Sequence, residues 1–194
     1  MDTKTLMNDR VPPGQRLTDG FPVLHHGEVP YYDDLSNWDL KVFGLVEEEL
    51  IIPYTDFMEL PRREFGNDIH CVTTWSKLDN VWEGIAVATI MERIKLKPEA
   101  KYVMLHGEYG YTTNLPLEDF MQDTTFIGIK HNGEPLTPEH GYPVRMVVPH
   151  LYFWKSAKWL RGIEFMAKDK PGFWERNGYH MYGDPWEEQR YDFD

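Results

Sequence analysis

The sequence predicts an α+β fold in which mixed β-sheets dominate and a few short helices intervene. Three observations carry this. Runs rich in β-branched and aromatic residues recur along the chain, each bounded by Gly, Pro, Asn or Asp. Helical spacing of apolar residues is confined to short stretches. No glycine-rich turn follows a strand and opens a helix, so neither a dinucleotide fold nor a P-loop is indicated.

Taken in order, residues 1–20 are polar and rich in Pro and Gly, and read as an arm lying on a single domain of residues 21–194. "WDLKVFGLVEEELII" has strand character, with a bend or bulge expected at Gly44. In "PYTDFMELPRREF", Thr55 is the expected cap of a short helix that Pro61 ends. "EFGNDIHCVT" reads as a strand leading to Cys71. "GIAVATIMERI" places Ile85, Val87, Ala88 and Met91 as the apolar face of a short helix. "KYVMLHG" is a strand, and "LPLEDFMQ" a short helix with Pro116 near its first turn. Asn132-Gly133 inside "TFIGIKHNGEPL" signals a hairpin. "YPVRMVVPHLYFW" is a buried strand broken at Pro149. "AKWLRGIEFMA" alternates Trp159, Arg161, Ile163 and Phe165, again a strand. The remainder, from Lys170 on, is loop-rich and aromatic.

Composition narrows the function. A hydrophobic share of 41% with 27% charged residues describes a globular chain able to bury a core. A net charge of −12 repels polyphosphate, which argues against general nucleic-acid binding and makes any basic cluster conspicuous. One cysteine cannot form an internal disulfide. The polar start carries no stretch of signal-peptide length, and apolar runs such as "GIAVATIM" are too short to span a bilayer. The expectation is a soluble, cytoplasmic protein.

Three stretches can carry chemistry. In "DIHCVTTWSKLDNVWEG" the lone thiol of Cys71 is followed by hydroxyls at Thr73 and Thr74, with Trp75 and Trp82 expected to wall a pocket. A free cysteine is most often a small buried hydrophobe; as a thiolate it is a nucleophile or a soft metal ligand. Structural zinc is not supported, because the chain has no CxxC or HExxH and its eight histidines are scattered. In "HGYPVRMVVPHLYFWKSAKWLRG", His140, Arg145, Lys155, Lys158 and Arg161 fall within 22 positions with no acid between them. A guanidinium fork matches phosphate, and small residues at Ser156 and Ala157 let backbone N–H groups approach an anion. A solvated basic face is the plain alternative, although the apolar run around Arg145 places that residue near the core. "FPVLHHGEVPYYD" presents His25 and His26 on an extended segment.

These three stretches, in this order over roughly residues 20–167, resemble the molybdopterin-binding domain of the sulfite oxidase family. The resemblance implies that family's mixed-sheet fold and an oxidoreductase that transfers an oxygen atom at a cysteine-ligated molybdenum. It implies Cys71 as the metal ligand and catalytic residue, with the other sulfurs supplied by the pterin dithiolene. It implies His25, His26, His140, Arg145, Ser156, Ala157 and Lys158 as the residues that bind the molybdopterin and its phosphate. This chain has His25 where the family often has asparagine. A further pterin contact is implied after "YVMLHG", with His106 and Thr112 as candidates. Where sulfite oxidases follow the cysteine with a basic run, this chain has Thr73-Thr74-Trp75-Ser76. That departure is similar to the bacterial sulfoxide-reductase branch and suits a neutral S-oxide or N-oxide, with an electron-transfer partner still to be identified. Sulfite oxidation is the alternative within the family. A non-catalytic module that binds the pterin or another phosphate ester needs Arg145 and Lys158 but not Cys71, and a cysteine hydrolase needs no metal at all.

Overall fold

The computed structural model describes residues 9–194. Its longest strand, β5 (Trp75–Ala86), is the spine of one of two sheets. The chain enters that sheet at β1 (Arg16–Leu17), which pairs in parallel with Trp75 and Ser76. Strand β4 (Arg63–His70) forms a hairpin with β5, and β8 (Phe126–His131) lies on the other side of β5. Strands β9 (Glu134–Pro135) and β10 (Arg145–Val147) both pair with β8. The second sheet runs β3 (Leu50–Pro53), β2 (Asp39–Gly44), β11 (Leu160–Met166), β6 (Tyr102–Gly107), β7 (Thr112–Pro116), with only the β2–β11 pair parallel.

The core lies between the sheets. Leu40, Val42, Leu105 and Ile163 from the second sheet meet Ile85, Ile127 and Met146 from the first, all fully buried. In β2 the burial alternates residue by residue, as a strand with one face in the core requires. A second cluster covers the opposite face of the first sheet, where Phe65 stacks on Phe126 at 4.0 Å. Gly44 ends β2 at φ +89°, and a Cβ there would collide with the backbone of Phe165. The Asn132-Gly133 turn has positive φ at both positions, as a two-residue hairpin demands.

Several local expectations shift. Thr55 does not cap the first helix. Strand β3 runs straight into α1 (Tyr54–Met58), so the cap falls on Pro53, whose ring already fixes φ near the required value. The apolar run at Ile85 is not helical: β5 continues through Ala86 because Gly84, Ile85 and Ala86 pair with Gly128, Ile127 and Phe126. Only α2 (Val87–Met91) is helix. The third helix, α3 (Leu117–Phe120), starts after Pro116. Within the polar arm, Arg16 and Leu17 are a strand of the first sheet, and the Arg10 guanidinium grips the Asp68 carboxylate at 2.6 and 2.8 Å.

Candidate active site

The β4–β5 hairpin ends in a tight loop that carries Cys71. The Thr74 amide donates to the Cys71 carbonyl and the Cys71 amide to the Trp75 carbonyl, which closes a three-residue connection with Thr74 at φ +73°. A β-branched residue in the left-handed region is strained, and such strain persists only where surrounding contacts hold it. Those contacts come from both ends of the chain. The Gln15 side chain donates to the Cys71 carbonyl (3.1 Å), the Arg16 amide donates to the Thr74 carbonyl (3.0 Å), and Arg190 donates to the Val72 carbonyl (3.0 Å). The Cys71 sulfur is 3.2 Å from the Thr73 hydroxyl and sits among Tyr152, Trp154, Trp75, Trp174 and Tyr179. Burial pushes the thiol pKa up, while the Thr73 hydrogen bonds oppose that shift.

A cavity of about 290 Å³ opens from this sulfur. Arg145, only 1% exposed, lines the same cavity. Its guanidinium donates to the carbonyls of His140 (3.0 Å) and Ser156 (2.8 Å) and lies over the Phe153 ring at 4.3 Å. Among the described residues no carboxylate pairs with it. Desolvation lowers its pKa to about 9, so it stays charged at neutral pH. Lys158 also lines the cavity. Its ammonium donates to the carbonyls of Leu24 and Glu139, and burial, followed by the charge of Arg145, lowers its pKa to about 7. Gly141 makes this approach feasible: a Cβ there would press on the Cβ atoms of Arg145 (3.1 Å) and Lys158 (3.3 Å).

The cavity thus brings together Cys71, Arg145, Ser156, Lys158, His25 and His26. The two histidines lie on an irregular exposed segment, His26 tilted against Phe173 at 4.3 Å and His25 edge-on to Trp159. His140 and Ala157 do not line it. His140 stacks on Phe21 at 4.2 Å, with its Nε2 against the Phe21 carbonyl and its Nδ1 against Thr137, so it props the wall from behind. The Ala157 side chain is in the core. Trp82 is not a pocket wall either; it is fully buried between sheet and Phe126 because its position on β5 faces the second core cluster. Neither His106 nor Thr112 reaches the cavity, whereas Tyr111 does; His106 instead pairs with Glu164 at 2.9 Å.

Sequence reasoning missed most of the aromatic wall: Phe21, Tyr111, Phe153, Trp154, Trp174 and Tyr179. Its last two members are docked by a buried ion pair. Lys155, 0% exposed, donates to Glu175 at 2.7 Å, and the same carboxylate oxygen accepts from Trp154 Nε1 and the Thr113 hydroxyl. The available signal was the aromatic density after Lys170, which has no periodicity to give it a direction.

The chain can be placed among known proteins. A family model described as "Oxidoreductase molybdopterin binding domain" matches residues 26–174. An uncharacterized oxidoreductase, YuiH of Bacillus subtilis, is 58% identical over 98% of both chains. The catalytic subunit MsrP of a protein-methionine-sulfoxide reductase from Campylobacter jejuni is 27% identical over 76% of this chain, which spans 55% of that protein. The NADPH nitrate reductase of Aspergillus niger is 30% identical over 84% of this chain and 21% of its own length. The sulfane dehydrogenase SoxCD from Paracoccus pantotrophus superposes with a TM-score of 0.69 over 79% of this chain and 43% of its own, at 23% identity, and so shares the α+β mixed-sheet fold. The chain is therefore an enzyme of the sulfite oxidase-like family of oxidoreductases, those built on a molybdopterin-binding domain.

Proposed function

We propose that this protein holds a molybdopterin across the cavity, with the Cys71 sulfur ligating molybdenum and with Arg145, Lys158 and Ser156 at the phosphate end. The observation that carries this is the Arg145 guanidinium, buried at 1% exposure beside the cavity, whose hydrogen-bond partners among the described residues are all carbonyl oxygens. A buried cation without a counter-charge is costly, and a phosphate bound beside it compensates it. A second polar group fits the same reading. Trp75 lines the cavity, and its buried indole N–H has no hydrogen-bond partner among the described residues. When bound, the molybdenum centre supplies two-electron oxygen-atom exchange with a substrate.

The chain's own residues shape what reaches the sulfur. The turn after Cys71 offers a hydroxyl from Thr73 and an aromatic face from Trp75, and Trp174 and Tyr179 add two more aromatic rings to the wall. The aromatic faces beside the sulfur suit a neutral, polarisable group, and the turn after Cys71 brings no basic side chain of its own for an anion such as sulfite. Thr73 is placed to donate a hydrogen bond to an S-oxide or N-oxide oxygen near the sulfur. We therefore favour reduction of a neutral S-oxide or N-oxide, in keeping with the sulfoxide-reductase relative, by a cytoplasmic enzyme supplied with electrons by a separate protein. No helix among the described residues is long and apolar enough to cross a membrane.

The test is elemental and pterin analysis of protein made in a host competent for molybdopterin synthesis. Molybdenum and pterin at close to one per chain are expected. Cys71→Ser should keep the fold and the pterin yet lose turnover by at least about a thousandfold. Protein that carries no molybdenum, or a serine variant with full turnover, rules the proposal out.

A further inference from the structure

Residues 183–194 lie outside the cavity and cover the outer side of the cysteine loop. Three contacts fix them there. The Arg190 guanidinium donates to the carbonyls of Val72 (3.0 Å) and Pro13 (3.2 Å). Trp186 meets His70, the residue before Cys71, edge-on at 6.3 Å. Tyr191 stands edge-on to Tyr179 at 5.8 Å, and the two residues form a backbone bridge. Tyr179 is itself part of the cavity wall. One aromatic layer therefore separates the outer surface from the chamber beside Cys71.

That outer surface is unusual for an acidic chain. Trp186, Tyr191 and Phe193 are all exposed, Phe193 at 81%, and Phe193 stacks on Tyr191 at 5.5 Å. The same segment carries Asp184, Glu187, Glu188, Asp192 and Asp194; Glu187 and Asp192 are exposed, Asp184 and Asp194 accept backbone N–H groups, and Glu188 lies 3.5 Å from Arg190. The only cation of the segment, Arg190, is turned inward with its side chain 12% exposed. Exposed aromatics ringed by charge have the anatomy of an interface: an apolar centre that excludes water and a charged rim that steers the partner. The sign of the rim selects a basic partner.

The reaction proposed above needs such a partner. Reduction of a neutral S-oxide takes up two electrons and two protons, breaks the sulfur–oxygen bond and releases one water. The chain has a single cysteine and no dithiol to supply electrons. Resting on that proposed function, we infer that the acidic aromatic face of residues 184–194 is the docking site of a small, basic one-electron redox protein. It delivers the two electrons singly, across the Tyr191–Tyr179 contact.

The test measures binding, not turnover, on protein whose molybdenum content is assayed in the same preparation. The probes are a basic c-type cytochrome and an acidic plant-type ferredoxin, titrated by calorimetry at low and moderate salt. The cytochrome should bind, with Kd rising about tenfold or more between roughly 20 and 200 mM salt as the charges are screened. Glu187→Lys with Asp192→Lys should raise Kd by about tenfold, and Phe193→Ala by several-fold with an unchanged salt slope. A control pair of equal charge change in connections of the second sheet, Glu48→Lys with Glu99→Lys, should shift Kd by less than about threefold. Absent cytochrome binding, equal binding of the ferredoxin, an unaffected 187/192 pair or an equally damaging control pair each overturns the docking face. Because binding is read without turnover, missing molybdenum strikes the functional proposal alone, while unchanged affinity strikes this inference alone.

Discussion

Arg145 is the residue on which the proposed anion binding depends. Its charge is held by carbonyl dipoles and the Phe153 ring, with no acid among the described residues to neutralise it. Arg145→Met removes a desolvated charge but also strips two carbonyls of their donor. These effects oppose each other, so the cofactor-free protein should change in stability by less than about 1.5 kcal/mol. Pterin retention, read by the fluorescence of released pterin, should fall by at least about tenfold. His131 gives a second residue-level expectation. Desolvation, aided by Lys77, Arg145 and His140, lowers its pKa to about 4, and its Nε2 sits 2.9 Å from the Asn80 side-chain Oδ1. The folded state therefore binds fewer protons than the unfolded state between about pH 4 and the ordinary histidine value near 6.5. Stability rises with pH across that window, so acidification from 6.5 towards 4 destabilises the fold. His131→Gln should flatten the pH dependence of the melting temperature in that range.

At the scale of elements, the cysteine loop is a hairpin end held in an unfavourable backbone state. Thr74 at φ +73° makes, among the described residues, a single exposed side-chain hydrogen bond, 3.4 Å from Arg16, so its side chain returns little for the strain. Asparagine tolerates the left-handed region far better than a β-branched residue. Thr74→Asn should stabilise the protein by about 1 kcal/mol, seen as a higher denaturant midpoint with an unchanged slope. The loop keeps its place because β1 and the Gln15 and Arg190 side chains grip it from both chain ends. Strand patterning foretold β4 and the hairpin turn at Asn132-Gly133, but not β1. Two residues of strand with both side chains exposed carry no alternation to read.

For the whole molecule, the site is an assembly of distant segments, and the Lys155–Glu175 pair welds the last of them to the sheets. Lys155 also donates to the Asn114 and Met181 carbonyls, so one ammonium ties β7, the wall and the C-terminal region together. Lys155→Met leaves the Glu175 carboxylate buried beside Trp154 without a cation, at a cost of about 3–5 kcal/mol. Limited proteolysis should then cut first within residues 168–194. The double change Lys155→Met with Glu175→Leu should recover part of the loss, the signature of a coupled pair.

The amino-acid sequence alone determined the strands with one face in the core, the short helices bounded by proline, and the lone thiol and basic run that stand out chemically. Those features are local: side-chain period, ring constraint and residue chemistry act within a few positions. Only the tertiary structure decided that Cys71 and Arg145 share one cavity, that Trp82 belongs to the core while Trp174 and Tyr179 form the wall, and that part of the polar arm is a strand. Each of these depends on which face meets which partner across the fold. An aromatic side chain in an irregular segment carries no periodicity to announce that choice, and it is made by burial against residues far away in the chain.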